Sequence, residues 1–217
     1  MHKLPEPTKQ VSSDFLTQSL LRVRQESEKV PVLFVGRLEP RKGAAILLRA
    51  FAELRQHHPN VRLLIAGDGP ERQRLERDAA EAGIPDVVFL GRIDEADLPR
   101  LYATCDVFCA PSIYAEGFGI VLAEAMASGK PVVAAANEGY QTVLHGEAAS
   151  FLTRPGEVSD LRSKLETLVT QPELRSRLGE WGKREAARYD SSQLAPAFVA
   201  IYEQAIRSRL SKVGCLR

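Results

Sequence analysis

Glu116 and Glu124 stand with seven residues between them, and the stretch that joins them is made of glycines and apolar side chains. The surrounding segment, residues 111–136, reads PSIYAEGFGIVLAEAMASGKPVVAAA. The glycines of Glu116-Gly117-Phe118-Gly119 fall where a helix pattern begins, running over about residues 118–128. At such a start, free backbone N–H groups and the helix dipole favour an anion, and a phosphate is the natural guest. With the helix starting near Phe118, Glu124 lies about 9 Å further along it at ~1.5 Å rise per residue. One acid can then reach one end of an elongated ligand and the other acid its far end.

Between the two acids Ile120, Val121, Leu122 and Ala123 are followed, after Glu124, by Ala125, Met126 and Ala127. Such a helix is apolar almost all the way round and is predicted to be buried beside a sheet. A glutamate on it needs a partner, and the hydroxyl groups of a sugar or ribose would serve. The other reading makes Glu116 a solvated loop acid, Glu124 a paired or neutralised core acid, and the glycines plain turn residues.

An apolar run, residues 107–111, precedes the loop, and a second follows from Val132. Strand, loop, helix, turn and strand is the unit of a parallel sheet. Residues 31–36 read as an earlier buried strand, leaving through Arg37-Leu38-Glu39-Pro40-Arg41-Lys42-Gly43 into a helix that runs to about His58. That places Arg37, Arg41 and Lys42 at the carboxyl edge of the sheet, where such folds bind ligands. Arginine offers a bidentate fork to a diphosphate and lysine a point charge; a solvated basic turn is the competing reading.

Further strands are predicted over residues 61–67, 87–91 and 149–152, with helices over about 70–82 and 96–104. From Val158 the pattern is helical: to Thr170, then 173–188, then 191–210. The fold class that follows is α/β, a doubly wound, Rossmann-like parallel sheet of about six strands with C-terminal helices. Its organisation is a lead-in or linker remnant over 1–29, one domain over 30–190, and a C-terminal helix over 191–217.

The balance of 44% hydrophobic to 26% charged residues is that of an ordinary globular protein, and a net charge of +1 gives no field for nucleic acid. Three cysteines, Cys105, Cys109 and Cys215, have no metal-ligand spacing and suit a reducing cytosol. Cys105 and Cys109 read as core fillers, and the adjacent His57 and His58 cannot share a helix face, so no metal is expected. Trp181 reads as a packing anchor. No apolar run has the length of a membrane span, so the expectation is a soluble cytoplasmic chain. Residues 173–217 carry nine Lys or Arg against five Asp or Glu, so a peripheral contact with anionic lipid at the inner face of a membrane stands beside the commoner reading of a solvated helix face.

In order along the chain, five pieces carry a resemblance: Gly36-Arg37-Leu38 with Lys42-Gly43; Gly67-Asp68-Gly69-Pro70; Phe89-Leu90-Gly91; Ala110-Pro111-Ser112; and Glu116-Gly117-Phe118-Gly119 through Glu124 to Val133. Together they resemble the C-terminal, donor-binding domain of retaining glycosyltransferases of the GT-B fold, family 4 or group 1 type, over roughly residues 30–155. The wording around the two glutamates is similar to that of mycobacterial-type phosphatidylinositol mannosyltransferases.

The resemblance implies transfer of a hexose from a GDP- or UDP-linked sugar to an acceptor hydroxyl with retention. Glu116 would contact the transferred sugar near the reacting carbon, as the catalytic residue. Arg37 and Lys42 would hold the diphosphate, assisted by Gly117, Phe118, Gly119 and the amide of Ile120. Glu124 would bind the ribose, and Arg92 and Ile93 the nucleobase. No metal or other cofactor is implied, because the cations and the helix start neutralise the leaving diphosphate. Two departures stand out. Thr142 occupies the place where many family members carry a glutamate, with His145 beyond it as a surface residue, and the acceptor-binding N-terminal half is missing. The alternatives are a non-catalytic nucleotide-sugar-binding module and, with less support, a sugar-nucleotide epimerase or phosphorylase-like enzyme of the same architecture.

Overall fold

Short runs of Val, Leu, Ile and Phe bounded by glycine or proline are what a strand buried on both faces requires. The computed structural model describes residues 29–190 together with Val199, Ala200 and Tyr202, and in it these runs form a six-stranded sheet. The strands are β1 (Val30–Val35), β2 (Val61–Ala66), β3 (Val87–Gly91), β4 (Val107–Ala110), β5 (Val132–Ala135) and β6 (Leu152–Thr153). Every pairing is parallel, in the order β3-β2-β1-β4-β5-β6. All six residues of β2 and all four of β4 and β5 are buried.

The helices are α1 (Ala44–His57), α2 (Arg72–Glu81), α3 (Leu98–Thr104), α4 (Ile120–Ala127), α5 (Glu138–Val143), α6 (Val158–Thr170) and α7 (Pro172–Ala186). The chain winds outward from β1 to β3, returns to the middle at β4, and winds outward the other way. Right-handed crossovers therefore put helices on both faces. Helix α1 packs on α6, and α4 packs on α7. Leu47, Phe51 and Leu54 of α1 are fully buried with Leu63, Leu64 and Ile65 of β2. Cys105 and Cys109 are buried free thiols in this core, and Trp181 packs against it partly buried. The lead-in before residue 29, Cys215 and nearly all of the expected C-terminal helix over 191–217 lie outside the described residues.

Three expectations about local structure are corrected. Helix α4 starts at Ile120 instead of Phe118, because Gly119 takes a left-handed φ of 85° as its N-cap. It is also not buried all round: Ile120 is 67% exposed, and only Leu122, Ala125 and Met126 are buried. The sixth strand shrinks to Leu152–Thr153 because Gly146–Phe151 winds into a 3-10 helix.

What the topology arranges is a switch point. Strands β1 and β4 are neighbours in the sheet, yet their exit loops lead to helices wound in opposite directions, and the two loops meet. Ile113 N donates to Arg41 O at 2.7 Å. Gly43, at φ 73°, lies so near that a Cβ there would stand 2.2 Å from Pro111 O, and no side chain fits that gap.

At the opposite edge of the sheet Asp86, just before β3, accepts hydrogen bonds from Lys29, from Arg55 at 2.7 Å and from Arg62 at 3.4 Å. Burial pushes its carboxyl up, but the hydrogen bonds from Lys29, Arg55 and Arg62 and the charge of Lys29 outweigh it, and the group sits at about 2 against its ordinary 3.8. Because the folded value lies below the unfolded one, this stabilisation is complete above about pH 4 and is lost as the pH falls toward 2. Asp86→Asn is expected to cost about 1–3 kcal/mol at neutral pH and to flatten the loss of unfolding free energy across that window. Denaturant titrations over a pH series check both, and curves for the two proteins that run parallel would refute the assignment.

Candidate functional site

The cations that leave β1 and the acid that follows β4 come together at the switch point. After β1 the chain makes a 3-10 turn over Pro40–Lys42, which points Arg41 and Lys42 across to the neighbouring loop. Lys42 Nζ donates to Glu116 Oε1 at 2.6 Å, and Arg41 Nη1 donates to the same oxygen at 3.0 Å. Glu116 is only 10% exposed and Lys42 19%. Arg41 Nη1 also reaches Ala115 O at 3.2 Å, and its Nε pairs with Glu39 at 2.7 Å. Two acids, Glu39 and Glu116, and three cations, Arg37, Arg41 and Lys42, thus form one chain of ion pairs.

At the start of α4 several backbone amides are left over, as at the N-terminus of any helix. The first amides of the turn to find a backbone acceptor are Leu122 and Ala123, both on Gly119 O, at 2.8 and 3.5 Å. The N–H groups of Gly119, Ile120 and Val121 have no backbone acceptor among the described residues. Phe118 and Ile120 are exposed there, and Phe118 meets the Tyr189 ring edge-on with centroids 4.9 Å apart.

Glu124 lies four residues beyond the helix start, about 6 Å along the axis at ~1.5 Å per residue, with Glu116 in the loop before it. Its Oε2 already has a hydroxyl partner from the protein: Tyr102 OH of α3 donates to it at 2.8 Å. Burial first, and then this bond to Glu124, push the Tyr102 phenol far above its ordinary range, so it stays protonated and a donor. Glu124 Oε1 has no protein partner among the described residues and can accept from another hydroxyl.

The remaining predicted residues gather elsewhere along the same carboxyl edge. A cavity of about 820 Å³ opens past β1, β2 and β3, lined among others by Arg37, Asp68, Arg92, Ile93 and Leu98. Arg37 therefore stands with the nucleobase candidates Arg92 and Ile93. Its side chain is 70% exposed and, among the described residues, is held only by a 3.6 Å pair with Glu39 and makes no bond to Glu116 or α4. Asp68 turns its Oδ1 to Gly69 N at 2.7 Å, a local turn contact. Cavity size fits a nucleoside-sized guest.

A second set of residues, which the sequence reading passed over, shapes the loop from below. Ser112 Oγ lies 3.1 Å from Tyr140 OH, Asn137 Nδ2 donates to Ser112 O at 3.0 Å, and Asn137 Oδ1 accepts from Tyr140 N at 3.0 Å, all buried. Burial pushes the Tyr140 phenol up to about 12. A Cβ at Gly139 would lie 2.3 Å from Glu116 O and 2.6 Å from Gly117 O, so the start of α5 is pressed against the loop that carries Glu116. The segment after β5 is thus a short helix. Thr142, on that helix, bonds Gly139 O at 2.7 Å, and the exposed His145 pairs with Glu185 at 3.1 Å. His58 pairs with Glu166 at 2.8 Å, and among the described residues no three His, Cys, Asp or Glu gather as a metal site.

Comparison with known proteins gives this geometry a family. The model of the family described as Glycosyl transferases group 1 matches residues 21–185. The chain is 39% identical to a phosphatidyl-myo-inositol mannosyltransferase of Mycobacterium leprae, over 79% of this chain and 46% of that protein. It is 36% identical to a D-inositol 3-phosphate glycosyltransferase of Corynebacterium jeikeium, over 79% of this chain and 42% of that one. Among solved structures it is similar to Anabaena HepE in complex with UDP and glucose, with a TM-score of 0.71 and 30% identity over 90% of this chain and 52% of that one. The chain spans about half the length of the curated relatives it matches. Matched over most of its length, with its ion-paired loops at the switch point of a GT-B-type sheet, the chain belongs to the glycosyl transferases group 1 family.

Proposed function

We propose that the chain is the donor-binding half of a retaining glycosyltransferase that moves a hexose from a GDP- or UDP-linked sugar to an acceptor hydroxyl. The observation that carries the proposal is the Lys42–Glu116 pair at 2.6 Å, which sets a cation and an acid from two different loops at the switch point of the sheet. Such crevices outside the carboxyl ends of the strands are where open α/β sheets take their ligands. The similarity to a protein solved with UDP and glucose supports a nucleotide sugar as the guest.

In this reading Lys42 and the amides around Gly117, Phe118, Gly119 and Ile120 take the diphosphate, with Arg37 closing on it from the cavity side. Glu124 Oε1 accepts from the ribose while Tyr102 holds Oε2. Arg92 and Ile93 border the nucleobase. Glu116 faces the sugar, whose anomeric carbon exchanges its bond to the phosphate oxygen for one to the acceptor oxygen. The acceptor hydroxyl gives up its proton to the departing phosphate oxygen or to water, and the nucleoside diphosphate leaves with its charge met by Lys42, Arg37 and the helix start. We propose that no metal is needed for that neutralisation. The acceptor is bound by a further half, consistent with relatives about twice as long. Buried free thiols at Cys105 and Cys109 support a reducing, cytoplasmic setting, and the basic balance of residues 173–217 keeps a peripheral membrane contact in the proposal. No helix among the described residues is long and apolar enough to cross a membrane.

Two outcomes test the reading. In calorimetry the chain should bind UDP or GDP, and Lys42→Ala or Arg37→Ala should weaken that binding by about tenfold to a hundredfold, as loss of a charged hydrogen bond does, with thermal stability retained; unchanged affinity would remove the phosphate assignment. Glu124→Gln should abolish the preference for the ribose nucleotide over its 2′,3′-dideoxy counterpart. A preference that survives the substitution would take Glu124 out of ribose recognition.

A further inference from the structure

Arg41 was grouped with the loop cations in the sequence but has no part in holding the donor as proposed above. Its contacts give it a different one. Lys42 and Arg41 share a single acceptor, Glu116 Oε1. Lysine is a point charge on a flexible stem, free to swing to a stronger anion. A diphosphate carries more negative charge than one carboxylate, so its arrival draws Lys42 away and leaves Glu116 to its other partner.

Arg41 cannot follow. The Nη1 group serves Glu116 Oε1 at 3.0 Å and Ala115 O at 3.2 Å, and the Nε group is braced by Glu39 at 2.7 Å. Its own carbonyl accepts from Ile113 N at 2.7 Å. The guanidinium therefore grips the acid and the peptide just before it, while its backbone ties in the residue two positions further back. Ala115 has a φ of 59°, the left-handed region that a side chain disfavours, so the loop needs such a hold to keep its shape.

We infer that Arg41 is a positioning residue, which keeps Glu116 aimed at the sugar once Lys42 has turned to the diphosphate. The inference rests on the donor-binding function proposed above. It separates two cations adjacent in sequence: Lys42 acts on the phosphates, Arg41 on the sugar through Glu116.

The test compares wild type, Lys42→Met and Arg41→Met in the full 217-residue chain, by calorimetry with UDP, UDP-glucose, GDP and GDP-mannose. Arg41→Met should weaken the sugar nucleotide by about tenfold or more, the range of a lost charged hydrogen bond, while the free diphosphate weakens by about threefold or less. Lys42→Met should weaken both forms together. If Arg41→Met lowers the affinities for both forms by the same factor, or alters neither, the positioning role is overturned.

Amide hydrogen exchange without nucleotide gives a second, independent reading. In Arg41→Met the amides around that loop that have a backbone acceptor, Ile113, Leu122 and Ala123, should exchange about tenfold faster than in wild type, as release of a local opening predicts, with β1 and β4 amides unchanged. Wild-type exchange in that loop would overturn the inference by itself. Wild type that binds none of the four nucleotides would instead sink the donor-binding function, and the exchange result alone would then decide the role of Arg41.

Discussion

The site depends on two loops that leave neighbouring parallel strands and are forced into contact where the chain reverses its direction of winding. Gly43 lies too close to Pro111 O for any side chain, and Ile113 N closes on Arg41 O. With the loops held this way, Lys42 and Glu116, separated by 74 positions, become an ion pair that is largely withdrawn from water. In a partly buried setting such a pair is screened little by salt. Each partner is therefore poised to respond to a stronger charge brought to the same place.

The surrounding charges are arranged in a graded way. Glu39 lies between Arg37 and Arg41, at 3.6 and 2.7 Å, so Arg41 is fixed and Arg37 is loosely held and exposed. Among the described residues Lys42 is tied only to Glu116. The cations assigned to the phosphates are therefore those with one carboxylate partner among the described residues, and the one with two is beside the acid assigned to the sugar. On the far side of α4, Tyr102 occupies one oxygen of Glu124 and leaves the other open. The start of α5 supports the loop from below through Gly139, Tyr140 and Asn137.

Much of this was legible in the sequence, and what was not has physical reasons. Parallel strands announce themselves as short apolar runs, so β3, partly buried at the sheet edge, is found over Val87–Gly91 as read. Arg37, Arg41 and Lys42 were placed at the carboxyl edge of the sheet by the rule that loops after parallel strands share a side, and the loop that leaves β1, with its 3-10 turn over Pro40–Lys42, carries them. The six-residue α5 has too few apolar positions for a period to show, although Asn137 as its N-cap, accepting from Tyr140 N, was a signal to be had. The start of α4 was read two residues early, since a pattern of side chains does not reveal that Gly119 sits at a left-handed φ. Arg41 and Tyr102 gain their roles from contacts 75 and 22 positions away, which no local pattern encodes. Glu124 was expected to need a partner, either a ligand hydroxyl or a pairing within the core; Tyr102 supplies a hydroxyl to one oxygen, and the other has no partner among the described residues.

A crystal structure of the chain with bound UDP or GDP tests the central claim most directly. The account predicts a β-phosphate oxygen within about 3 Å of Lys42 Nζ, the phosphates facing the amides at the start of α4, and the ribose at Glu124 Oε1. A nucleotide whose phosphates lie away from both Lys42 and that helix start would contradict it.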